Sequence, residues 1–116
     1  MFSVEFYRRE NGASPVEEFL NSLPVKHRVK VLDGLSLLEE FGNQLRELYS
    51  KTLGDGLFEL RVKFSSDIMR AFCFFVIGGR IVVTNGIVKK SEKTPRGDLE
   101  LARKYKADYE RRYLHE

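Results

Sequence analysis

The chain has 116 residues, 42% of them hydrophobic, with nine Phe, one Cys and a formal net charge of +3. This length suits one domain over residues 1–116 with a single core, and the apolar content excludes a disordered chain. The longest apolar run, Ala71 to Ile77, is too short for a bilayer span, and the N-terminus lacks the layout of a signal peptide. A lone Cys73 excludes a disulfide framework, so a cytoplasmic location is expected, with no membrane partner.

Phe2 to Tyr7 alternates and is rich in aromatics, which reads as a first strand ended by Asn11-Gly12. Ser14-Pro15-Val16-Glu17 has the form of a capping box with proline at the first helical position, opening a short helix to about Ser22. A second helix is expected from Pro24 to Phe41, with Val25, Val29, Leu32, Leu35 and Leu38 on its apolar side and Gly42 as its stop. Gly34 within it costs about 1 kcal/mol relative to alanine, which points to close packing there. Residues 43–56 read as a loop or a short extended segment containing Lys51.

Residues 57–96 carry the strongest pattern. Three strands are joined by turns at Ser65-Ser66 and Gly78-Gly79 and followed by a basic loop. Tight pairing sets Lys63 against Ile68, Arg61 against Arg70, Arg70 against Ile87, Phe74 against Val83 and Ile77 against Arg80. Directly opposed residues share a face. One face then gathers Phe58, Leu60, Val62, Phe64, Met69, Ala71, Cys73, Phe75, Val82, Thr84, Gly86 and Val88, and is a core face. The other carries Glu59, Arg61, Lys63, Arg70, Asn85 and Lys89, with Phe72, Phe74, Val83 and Ile87 as its apolar part. Thr94-Pro95 opens a last helix whose stripe Leu101, Ala102, Tyr105 and Tyr109 is expected to cover that apolar part.

Lys51 to Arg96 holds nine Lys/Arg against four Asp/Glu, so the positive charge belongs to the sheet and the loop after it. Such a surface attracts a polyanion such as an RNA backbone; a solvated face gives the same pattern. Two opposed arginines repel, a cost offset by Glu59 bridging them or by a phosphate accepting bidentate contacts. The pair is expected side by side over the middle of the sheet, open to solvent or to a bound polyanion. Lys89, Lys90 and Lys93 add sequence-independent phosphate affinity or form a solvated loop. His27 in the second helix and His115 in the tail do not make a metal site, and no glycine-rich phosphate loop is present, so neither metal nor cofactor is expected. RNA cleavage here would lack an obvious histidine base. A lysine of lowered pKa or Glu59 could take the proton from a ribose 2′-OH, although Glu59 also suits an ion pair with Arg61.

Gly-Leu-Phe-Glu-Leu-Arg at Gly56 to Arg61, the strand with Arg70, the apolar hairpin and Val-Lys-Lys-Ser-Glu-Lys-Thr-Pro at Val88 to Pro95 resemble the HigB toxins, the phage-derived branch of the RelE/ParE superfamily. The resemblance implies an α+β fold: a small twisted, mainly antiparallel sheet with two N-terminal helices on one face and a C-terminal helix at the other. It implies a toxin of a type II toxin–antitoxin pair, a metal-independent endoribonuclease cutting mRNA on the translating ribosome by 2′-OH attack on the adjacent phosphate. Its partners would be the ribosome, mRNA and a HigA-type helix-turn-helix antitoxin, in a 2:2 heterotetramer that meets operator DNA through the antitoxin. Carried over by position, Arg61, Arg70 and Lys93 are the catalytic candidates, Lys51, Lys63, Lys89 and Lys90 the RNA-binding ones, and Glu59 the possible general base. Some relatives have His or Tyr near the active face, where this chain has neither. The same fold in ParE-type relatives binds gyrase, and a non-catalytic RNA-binding module is a third reading. Replacing either arginine with alanine is expected to abolish toxicity while the fold survives.

Overall fold

The computed structural model describes residues 2–42, 44, 50–89 and 95–114. Among these, five strands form one sheet: β1 (Ser3–Phe6), β2 (Ser50–Gly54), β3 (Leu57–Phe64), β4 (Asp67–Val76) and β5 (Arg80–Lys89), in the order β1-β5-β4-β3-β2. β1 lies parallel to β5, and every other pair is antiparallel. Helices α1 (Pro15–Ser22), α2 (Val25–Phe41) and α3 (Arg96–Tyr113) complete an α+β architecture.

The helix starts and stops follow local chemistry. Glu17 N–H donates to Ser14 Oγ at 3.1 Å, and Pro15 holds the first helical position, where its missing N–H costs nothing. The Glu17 carboxylate pairs with Arg8 at 2.9 Å. Gly42 ends α2 at φ 53°, its N–H returning to the Leu38 carbonyl. Within α2 the buried face is Val31, Leu35 and Leu38, whereas Val25, Val29 and Leu32 are exposed. That corrects the expected stripe. Leu37 and Phe41 are exposed as well, so α2 is apolar on several sides and its periodicity does not single out the side that meets the sheet. Gly34 does mark close packing: a Cβ there would stand 2.9 Å from Val62 Cγ2 on β3.

The β3–β4 hairpin turns at Ser65, with φ 57°, and sets Arg61 against Arg70 and Lys63 against Ile68, as the spacing predicts. The β4–β5 hairpin differs. Val76, not Ile77, faces Arg80, so the turn has three residues, with Gly78 and Gly79 both at positive φ. Phe74 accordingly faces Val82 rather than Val83. A bulge then adds Thr84 between the Cys73–Val83 and Phe72–Asn85 pairs, which restores Arg70 to its place opposite Ile87. The Thr84 hydroxyl donates to the Phe72 carbonyl at 3.2 Å, and a contact of 2.7 Å joins it to Asn85 Oδ1.

Two cores flank the sheet. Val16 and Leu20 of α1 and Val31, Leu35 and Leu38 of α2 pack on Phe58, Leu60, Met69, Ala71, Cys73, Ile81 and Val83. Ile81 and Val83 thus replace the expected Val82 and Thr84, a direct consequence of the turn and bulge. On the opposite face Ala102, Tyr105 and Tyr109 of α3 cover Leu57, Phe72, Phe74, Val76 and Val82. Leu101, expected in that stripe, is exposed. α3 therefore covers the apolar half of this face, on the side of the Gly-Gly turn. No helix among the described residues is long and apolar enough to cross a membrane.

Candidate functional site

Register alone gathers the candidate residues on the face that carries α3. β2 pairs Lys51 with Glu59, and β3 pairs Glu59 with Phe72, so these three share a row. The next row holds Arg61, Arg70 and Ile87, and the one after it Lys63, Ile68 and Lys89. Lys51 and Lys63 are exposed. Lys89 is the last residue of β5, and Lys90 and Lys93 lie outside the described residues. Part of the segment expected as a loop or short extended stretch is strand β2, and pairing β2 with β3 is what sets Lys51 in the row of Glu59.

The centre of the site is a carboxylate between two guanidiniums. Arg61 Nε donates to Glu59 Oε1 at 3.1 Å, and Arg70 Nε lies 4.0 Å from the same oxygen. The Glu59 and Arg70 side chains are wholly buried, and that of Arg61 is 27% exposed. The expectation of an open pair is therefore corrected: Arg61 reaches solvent and Arg70 does not. Burying charges is tolerated where opposite charges meet, and the buried Glu59 carboxylate offsets charge on the two guanidiniums beside it. A cleft of about 470 Å³ between α2 and β3 also borders Arg61 and Lys63, with Lys30 and Asp33 on its helix side.

Other titratable groups lie elsewhere. His27 Nε2 meets Asp67 Oδ2 at 3.0 Å, and its ring stands edge-on to Phe64, which packs against the α1 and α2 core. The imidazole is thus on the face opposite the arginines. Cys73 is buried in that same core, and burial pushes its thiol far up, which suits a packing role. At the far end of the sheet, Tyr7 donates to Asp108 of α3 at 2.6 Å. Burial, then that hydrogen bond, pushes the Tyr7 phenol up to about 12. The same bond, with Arg111 and Arg112 beside it, holds Asp108 down at about 2. This network pins α3 to the segment after β1, for Arg112 also donates to the Arg8 carbonyl. Among the described residues no group of three His, Cys, Asp or Glu side chains converges as a metal site would.

Compared with known proteins, residues 18–107 match the family described as Phage derived protein Gp49-like (DUF891). No curated protein matches the chain. Among solved structures, it is similar to a chain of the archaeal RelE–RelB complex from Pyrococcus horikoshii OT3. That similarity has 16% sequence identity and a TM-score of 0.48, and covers 79% of this chain and 98% of that one. The family match takes in the whole of α2 and of strands β2 to β5, and with them Glu59, Arg61 and Arg70. With more than half of its length matched, the chain belongs to the phage-derived Gp49-like family.

Proposed function

We propose that this protein is the HigB-type toxin of a toxin–antitoxin pair, and that it cuts mRNA on the translating ribosome. Membership of the Gp49-like family supports the reading, as do the HigB-like Glu-Leu-Arg strand and basic loop. The observation that carries it is the Arg61 guanidinium, directed by a buried carboxylate and backed by a second, buried arginine. In the proposed reaction the ribose 2′-OH attacks the adjacent phosphorus, the bond to the 5′ oxygen breaks, and a cyclic phosphate and a 5′-OH end result. Negative charge grows on the non-bridging oxygens, where Arg61 contacts them directly and Arg70 adds its field from beneath. Lys51 and Lys63 hold neighbouring phosphates, together with Lys89 and Lys90. Lys93 is proposed as the cation at the leaving oxygen. Glu59, buried and accepting from Arg61, is assigned the holding of that arginine rather than proton transfer from a ribose. The partners in this reading are the ribosome, its message and a HigA-type antitoxin in a 2:2 complex.

Induction of the gene followed by primer extension tests the reading. New 5′ ends inside coding regions support it; intact transcripts together with DNA damage would instead favour a gyrase-binding toxin.

A further inference from the structure

We infer that Glu59 is a positioning residue which decides the edge of the Arg61 guanidinium that a phosphate meets; this rests on the phosphate-site reading above. Glu59 and Arg61 are two residues apart on β3 and so share a face. Arg70 is the direct cross-strand partner of Arg61 and the diagonal neighbour of Glu59. One carboxylate oxygen therefore faces both Nε atoms, at 3.1 Å for Arg61 and 4.0 Å for Arg70.

Arginine offers an oxyanion two forks, one along Nε and one Nη, the other across both Nη atoms. Glu59 takes the Nε side of Arg61, so the phosphate is assigned the Nη end. Full burial makes this hold firm, because a carboxylate away from water has no competing solvent partner. Glu59 also cancels one of the two charges that the register brings together. Without it the repulsion between the two opposed guanidiniums is stronger.

Glu59→Gln tests this with the shape kept and the charge removed. With programmed ribosomes, its kcat should fall about tenfold with KM unchanged, the signature of an interaction that matters in the transition state and not in binding. Glu59→Ala should lose more than Glu59→Gln. A second measurement is independent of activity: solvent exchange of the Arg61 Nε–H by NMR, its signal identified by its absence in Arg61→Lys. Exchange should be slow in the parent protein and about tenfold or more faster in Glu59→Gln. Full kcat in Glu59→Gln, from a parent that cuts RNA, overturns the inference. If the parent does not cut RNA, the nuclease reading fails by itself. The exchange rate then decides the positioning claim: acceleration upholds it, and an unchanged rate overturns it.

Discussion

Arg61 and Arg70 sit in one row of the sheet, yet removing them has different consequences. Arg61 is partly exposed but donates to the buried Glu59 carboxylate, so Arg61→Ala should cost about 1–3 kcal/mol of stability and raise the barrier to RNA cleavage by about 3 kcal/mol. Thermal melting beside single-turnover cleavage checks both halves. Arg70 is wholly buried against a buried carboxylate. Its replacement by alanine empties a fully buried site and removes a buried charge from beside Glu59, and should destabilise the protein by about 3–5 kcal/mol, read from urea unfolding. That differs from the expectation drawn from pattern alone, in which both variants keep their fold. Pairing of Arg61 with Arg70 was legible, because a two-residue Ser-Ser turn fixes the register of β3 on β4. Depth was not legible: alternation tells which face a side chain takes, and says nothing of what lies over it.

At the scale of elements, α3 is held by chemistry that pH can interrogate. Asp108 is depressed to about 2, so its contribution is present above the ordinary carboxylate range near 3.8 and is lost as pH falls toward 2. Tyr7 is raised to about 12, so its contribution is full below its ordinary value of 10.0 and is lost as pH rises through about 12. Tyr7→Phe should lower stability by about 1 kcal/mol at neutral pH and flatten the alkaline limb, measured by urea unfolding across pH. On the other face, α1 approaches β5 so closely that a Cβ at Gly86 would stand 2.4 Å from the Phe19 ring. Gly86→Ala should therefore cost about 1–3 kcal/mol by the same measurement. Helix ends were readable from Ser14, Pro15 and Gly42, because caps are local. The third residue of the β4–β5 turn and the Thr84 bulge were not, since neither leaves a mark on composition and together they swap the faces of Ile81, Val82 and Val83.

Over the whole molecule, the sheet separates two tasks. One face and the apolar half of the other bury the cores, and the remaining corner collects Lys51, Arg61, Lys63 and Arg70 with Glu59. The composition of Lys51 to Arg96 announced that corner, because charge asymmetry survives any register error. If Lys90 and Lys93 continue the corner, each alanine variant should lower the salt slope of RNA binding by about one. An unchanged slope in a filter-binding titration would remove them from the interface. The account as a whole turns on whether this corner cuts RNA through Arg61. The direct measurement is primer extension on a defined message carried by purified ribosomes, with the parent protein beside Arg61→Ala. The parent should produce new 5′ ends within the coding region, and Arg61→Ala should produce them about a hundredfold more slowly or worse. An intact message with the parent, or equal cutting by both, would contradict it.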